Sequence, residues 1–107
     1  MPSRREKIEA MLKLEPEDQF LRYSLATELD NEDRSDESLA LLRGLMADQP
    51  PHVHSFLRGA QLLIKLDRIA DARDALRAGI ELARQQGELH AAGEMGELLA
   101  SLGSLGE

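Results

Sequence analysis

The chain repeats itself with a period of 34 residues, and this period limits the fold more than any other feature of its 107 residues. Pro50 stands 34 residues after Pro16. When residues 16–49 are aligned with residues 50–83, six further pairs are identical: Ala26 and Ala60, Leu29 and Leu63, Asp33 and Asp67, Arg34 and Arg68, Leu42 and Leu76, and Arg43 and Arg77. Repeats of this length bury their apolar faces by stacking on neighbouring repeats. The sequence therefore predicts that the repeats stack on one another in a linear array.

Apolar residues recur every three or four positions throughout the chain, which is typical of amphipathic helices. The predicted inner faces of six helices are Ile8, Met11 and Leu12; Leu21, Leu25, Ala26 and Leu29; Leu39, Leu42, Leu45 and Met46; Phe56, Leu57, Ala60, Leu63 and Ile64; Ile69, Ala72, Leu76, Ile80 and Ala83; and Ala92, Met95, Leu99 and Leu102. Ser3 and Glu6 predict a capping box, while Ser35 and Asp67 are predicted to cap the third and fifth helices. No stretch shows the alternating, β-branched pattern that is typical of a β-strand, so an all-α fold is expected.

The period also divides the chain. We expect a single domain, 1–107, composed of a half repeat at 3–15, full repeats at 16–49 and 50–86, and a terminal helix at 88–102. The first helix fits the 34-residue frame as the second helix of an incomplete leading repeat. The last helix fits with a spacing of 36, which aligns Met95 and Gly96 with Gly59 and Ala60.

These repeats resemble those of the tetratricopeptide repeat family. Leu25-Ala26 and Gly59-Ala60 are similar to the large–small pair of the family's first helix, and Leu29 and Leu63 to the bulky residue three positions on. The family's second helix is matched by Ser38, Leu42 and Leu45, and again by Ala72, Leu76 and Gly79, with Pro50 as the closing proline. The resemblance implies a right-handed stack of antiparallel helical hairpins, an α-α superhelix of about six helices.

The sequence also departs from the family pattern. Arg22 stands where one repeat would have an aromatic residue, and Asp33 and Asp67 replace the usual turn glycine. Arg84 occupies the place of a second closing proline, so we expect the fifth helix to continue past the usual end.

The resemblance implies a protein-interaction module or adaptor that binds a peptide or helix. Stacked hairpins present a concave surface lined by the first helix of each repeat. Aromatic and leucine side chains in such a groove are typical of peptide recognition. The predicted partner-binding residues are Phe20, Tyr23, Thr27, His54, Leu57, Arg58, Gln61, Ile64 and His90. The alternative is that the apolar ones are covered by the first helix or widen the core.

Composition excludes several other classes of function. A net charge of −7 opposes binding to nucleic acid or to an anionic membrane. The chain lacks cysteine and every common catalytic motif, so we expect neither an enzyme nor a bound cofactor or metal. No secretory peptide is visible, and the longest strongly apolar run is Leu62-Leu63-Ile64, which predicts a cytoplasmic protein without a membrane span.

Three other hypotheses stay open. The chain could instead be a structural protein that self-associates through an apolar strip, formed by Phe20, Tyr23, Leu57 and Ile64, or through its open terminal helices. On the last helix, Leu89 and Leu98 are not used by the repeat register and could pair between chains. His54 and His90 are related by the 36-residue shift and could form a metal-binding or pH-sensing pair, whereas His52 and His54 are expected to point apart. The acidic run from Glu28 to Glu37 could dock a basic partner.

Overall fold

The computed structural model describes residues 1–103, and this range contains six α-helices and no strand. They are α1 (Arg4–Leu14), α2 (Gln19–Asn31), α3 (Ser35–Met46), α4 (Val53–Lys65), α5 (Ile69–Gln85) and α6 (Leu89–Leu102). The all-α prediction and the number of helices are confirmed. Residues 104–107 of the predicted domain lie outside the described residues. Among the described helices, none is long and apolar enough to cross a bilayer.

The helices form two compact units. The N-terminal unit, Met1–Pro51, contains α1 to α3, and the C-terminal unit, which begins at His52, contains α4 to α6. In the N-terminal unit the buried apolar side chains come from all three helices: Ile8, Leu21, Ala26, Leu29, Leu39, Leu42 and Leu45. These residues follow the predicted inner faces, because a spacing of three or four places them on one side of each helix.

Local hydrogen bonds fix where α1 and α2 begin. The Glu6 N–H donates to Ser3 Oγ at 3.1 Å, and the Ser3 N–H donates back to Glu6 Oε1 at 3.1 Å, which is the predicted capping box. Asp18 caps α2 by accepting the Leu21 N–H at 2.8 Å. These caps fix the ends of the α1–α2 hairpin, which carries the site described below.

The turns after α2 and α4 have the same left-handed geometry. Asp33 and Asp67 both have a φ of 60°, and the residue after each donates its N–H to a carbonyl five positions earlier, at 2.8 Å. This is the Schellman arrangement that ends many helices. The predicted caps are therefore wrong: Asp67 terminates α4, and Ser35 is already the first residue of α3. The turns are so short that Arg34 and Arg68 must serve as N-caps, although neither side chain caps a backbone N–H of the helix.

In the C-terminal unit, Gly79 lets α5 approach its neighbours closely. A Cβ atom placed on Gly79 would lie 2.5 Å from Phe56 Cβ on α4 and 2.6 Å from Met95 Sδ on α6. The unit's buried apolar side chains surround this contact: Val53, Phe56, Ala60, Leu62, Leu63, Ala72, Leu76, Ala83, Ala91, Met95 and Leu102. α5 also extends to Gln85, as the missing second proline predicts.

Candidate functional site

Three large apolar side chains are exposed together in the N-terminal unit. Met11 and Leu14 on α1 are 47% and 85% exposed, and Phe20 on α2 is 74% exposed. They line a groove of about 490 Å³ together with Glu15, Asp18 and the buried Leu21. Met11 was predicted to face inward, and that prediction is wrong, because no helix of the N-terminal unit covers this side of α1.

The groove continues along α1 toward its first turn. A second hollow of about 250 Å³ is lined by Arg4, Lys7, Ile8 and Ser24, and it shares Met11, Phe20 and Leu21 with the first. We refer to the two hollows as the α1/α2 groove. It follows α1 over its whole length, about 16 Å for 11 residues.

The two ends of the α1/α2 groove carry opposite charges. Arg4 and Lys7 lie at the end near the start of α1, and Glu15 and Asp18 lie at the other end. Arg4 Nε is 2.9 Å from Glu28 Oε1, and the guanidinium is 79% exposed. The groove is therefore apolar in the middle, basic at one end and acidic at the other, which suits a segment with a matching charge gradient.

Of the three α2 residues that were predicted to bind a partner, one lines the α1/α2 groove and two do not. Phe20 belongs to the α1/α2 groove. Tyr23 and Thr27 are half-buried, and the Thr27 hydroxyl donates to the Tyr23 carbonyl at 3.1 Å. Thr27 therefore uses its donor within its own helix.

The predicted residues of α4 share one face of that helix. His54 and Gln61 are exposed, whereas Leu57 and Ile64 are half-buried, and their spacing places all four on one side. Arg58 is half-buried as well. The structure thus brings these residues together along α4, and their binding role stays a prediction.

The histidines are arranged differently from the expected pair. The rings of His52 and His54 lie 6.1 Å apart, edge to face, although they were predicted to point apart. His52 precedes α4 with an extended backbone, so helical spacing does not apply to it. His90 is 92% exposed, and its Nε2 lies 3.2 Å from Glu94 Oε1. Over the described part of the chain, no three His, Asp or Glu side chains form a group that could hold a metal ion.

Several carboxylates of the acidic run from Glu28 to Glu37 form ion pairs with arginines. Arg4 pairs with Glu28, Arg5 with Glu32 at 2.9 Å, and Arg34 with Glu37. The Arg34 guanidinium holds the pKa of the Glu37 carboxyl below its usual value through their hydrogen bond. Internal pairing of this kind leaves less negative charge for a basic partner.

Sequence reasoning missed Met11 and Leu14 as site residues. The signal was present in the repeat pattern: α1 corresponds to the second helix of a repeat, and in the C-terminal unit such a helix, α5, is packed against the first helix of its repeat, α4. Apolar periodicity shows which face of α1 is apolar, but it does not show whether anything covers that face.

Comparison with solved structures places this architecture among known proteins. No family model matches the chain, and no curated protein matches it. The solution structure of a tetratricopeptide repeat domain protein from Salinibacter ruber is 34% identical, with a TM-score of 0.79, and the match covers 84% of this chain and 91% of that one. A crystal structure of a tetratricopeptide repeat domain protein from the same organism is also 34% identical, with a TM-score of 0.74 and coverage of 79% and 94%.

A third solved structure shares the fold at lower identity. The solution structure of a protein from Bordetella parapertussis is 24% identical, with a TM-score of 0.80, and the match covers 95% of this chain and 89% of that one. The helical-hairpin architecture is thus shared over most of the chain.

Proposed function

The chain belongs to the tetratricopeptide repeat family, and we propose that it is a protein-interaction module that holds an apolar segment of a protein partner in the α1/α2 groove. This function involves no catalysis and no cofactor. The residues proposed to contact the partner are Met11, Leu14 and Phe20, with Leu21 as the floor.

The observation that carries the proposal is the joint exposure of Leu14, Phe20 and Met11 in one groove. Scattered apolar residues are normal on a protein surface, but contiguous ones mark interaction sites. Burying one such side chain contributes about 1.5–3 kcal/mol. Burying all three contributes an amount comparable with the cost of association, about 4–15 kcal/mol, so binding also requires contacts from the rest of the α1/α2 groove.

The predicted face of α4 and His90 belong to the proposal as additional polar and apolar contacts. They are His54, Leu57, Arg58, Gln61, Ile64 and His90, with Tyr23 and Thr27 on α2. The resemblance to the family supports their role, whereas direct exposure supports the α1/α2 groove more strongly. The net charge of −7 favours a protein partner over nucleic acid.

Peptide selection tests the groove directly. Phage-displayed peptides of about 20 residues are long enough to span α1, which has 11 residues. They are selected on the wild-type chain and counter-selected on a variant with two substitutions in the groove, Leu14→Lys and Phe20→Glu. We call this the groove variant. Lysine at the end of α1 and glutamate at the start of α2 both suit the helix dipoles, so folding is preserved. We expect selected peptides to bind wild type and to lose at least tenfold in affinity on the variant.

A matched control places the same charges outside the groove. Ala10→Lys with Ala40→Glu changes two exposed alanines and leaves the groove intact. Selected peptides should bind this control as they bind wild type. If no peptide distinguishes the groove variant from the control, the α1/α2 groove is not a binding site.

A further inference from the structure

In the C-terminal unit, α4 packs against the two helices that correspond to α1 and α2. Val53, Phe56, Ala60 and Leu63 lie on one side of α4 and are all buried, and Phe56 packs on Gly79 of α5, which Met95 of α6 also approaches. In the repeat frame, α5 and α6 correspond to α1 and α2. The α1/α2 groove is therefore the place that α4 fills in the C-terminal unit.

The helix α6 carries the same face as α4, but uncovered. It begins 36 residues after α4, so Leu89, Ala92, Gly96 and Leu99 correspond to Val53, Phe56, Ala60 and Leu63. Leu89 is 71% exposed, and the other three are half-buried. We call these four residues the α6 outer face. The adjacent side of α6 packs in the core, through Ala91, Met95 and Leu102. Ala92 and Leu99, which were predicted to face inward, lie at the edge of that side and are half-buried.

Side-chain sizes on the two surfaces are complementary. In the C-terminal unit a large residue of α4, Phe56, lies on the small Gly79 of α5. In the repeat frame Met11 takes the place of Gly79, and Ala92 takes the place of Phe56. In the proposed contact the small Ala92 would therefore lie on the large Met11, whereas in the C-terminal unit the large Phe56 lies on the small Gly79. The α6 outer face consequently fits the α1/α2 groove better than a copy of α4 would.

The repeat frame also gives the direction of the docked helix. The three-residue turn between α4 and α5 makes these helices antiparallel, so a helix placed likewise in the groove runs from Glu15 toward Arg4. The start of α6, at Leu89, would then lie near Leu14 and Glu15, and Leu99 would lie toward Arg4 and Lys7. α6 contains no lysine or arginine that would oppose the basic end.

From these relationships we infer that the α1/α2 groove binds the α6 outer face of a second copy of this chain. The inference rests on the proposed function of the groove and names its partner. Two half repeats, one from each copy, then make a whole repeat. The contact is heterologous, so each pair keeps one free groove and one free face, and further copies can add. An interface of one helix on two is small, which corresponds to weak, concentration-dependent association.

Two variants separate the two sides of this contact. The groove variant, Leu14→Lys with Phe20→Glu, retains the α6 outer face. The face variant, Leu89→Glu with Gly96→Glu, retains the groove, and a Cβ atom on Gly96 meets nothing within 4 Å, so α6 can accommodate the change. Circular dichroism verifies that both variants keep the wild-type helix content.

Sedimentation velocity from about 10 µM to 1 mM, the range of weak interfaces, tests the inference. We expect the mean mass of wild type to increase with concentration and each variant alone to stay monomeric. An equimolar mixture of the two variants should form a dimer and nothing larger, because only one complementary pair of surfaces is left. A symmetric interface predicts no recovery on mixing.

Other outcomes overturn the inference in distinguishable ways. If wild type stays monomeric at 1 mM, or if the face variant associates like wild type, α6 is not the occupant. When peptides selected on the groove still depend on Leu14 and Phe20, the proposed function stands and only the identity of the partner is wrong. When no such peptide is found either, both proposals fail.

Discussion

Asp67 has the same φ of 60° as Asp33, 34 residues earlier, and each residue terminates the first helix of a repeat. Left-handed backbone is unfavourable for residues with a Cβ atom, although Asp tolerates it better than most. The family's turn glycine is thus replaced here by residues that hold the same conformation with strain.

Replacing Asp67 by glycine should stabilise the C-terminal unit. Relief of the left-handed strain exceeds the extra chain entropy of glycine, so Asp67→Gly should stabilise by about 0.5–1 kcal/mol. Asp67→Ala keeps the Cβ atom and should bring no gain. Gly87→Ala makes the reverse change at the turn after α5, where φ is 74° and a Cβ atom meets nothing within 4 Å. Thermal melts should give the highest melting temperature for Asp67→Gly, a lower one for Asp67→Ala and the lowest for Gly87→Ala. Equal melting temperatures for Gly and Ala at position 67 would contradict this explanation.

Gly79→Ala should destabilise the C-terminal unit. The added methyl group would lie 2.5 Å from Phe56 Cβ, so α4 and α5 must separate, at a cost of about 1–3 kcal/mol. Gly93→Ala is the matched control, because its Cβ meets nothing within 4 Å on an exposed part of α6 and gains about 1 kcal/mol of helix propensity. Denaturant unfolding of both variants measures the difference, and a neutral Gly79→Ala would show that α4 and α5 are not in close contact.

The capping box predicts a specific pH dependence. Hydrogen bonds from the Ser3 N–H and hydroxyl lower the pKa of Glu6 below its usual value. A lowered pKa contributes stability above the unfolded-state value of about 4.3, and this stability is lost as the pH falls through the folded-state value. Glu6→Gln keeps an acceptor oxygen without a charge, so wild type should melt above this variant at pH 6, and the difference in melting temperature should shrink as the pH falls below about 4. A gap independent of pH would exclude a role for the charge.

The predicted face of α4 can be tested separately from the groove. Leu57→Asp with Ile64→Asp changes two half-buried side chains on one side of α4. We expect helicity to be retained and binding of a partner captured by wild type to be lost. The groove variant is the comparison: a partner lost by the α4 variant and kept by the groove variant assigns the face of α4 as its site. Unfolding of the α4 variant would instead place Leu57 and Ile64 in the core.

Much of the fold follows from local patterns. The capping box at Ser3 follows from short-range spacing, and the buried small residues Ala26 and Ala60 follow from the 34-residue period. The long α5 follows from Arg84, which stands where the family pattern has a closing proline. The predicted caps at Ser35 and Asp67 were wrong, because a Schellman turn and an N-cap compete for the same three residues.

Longer-range relationships explain what sequence reasoning missed. Arg22 replaces an aromatic residue of the family and instead pairs with Asp48, 26 positions away. Met11 and Leu14 are exposed because none of the described helices of the N-terminal unit packs on that side of α1 as α4 packs on α5. Periodicity identifies the apolar face of each helix, whereas its accessibility depends on tertiary neighbours.

The connections between the hairpins differ in a way that bears on how such chains evolve. Six residues, 47–52, join α3 to α4, whereas three residues, 86–88, join the longer α5 to α6. Recombination within 47–52 would exchange whole units without cutting a helix or a Schellman turn. The junction after α5 offers no such breakpoint, because Gly87 and its neighbours are all engaged in ending one helix and starting the next. Modules can therefore be added or replaced at the middle of this chain more readily than near α6.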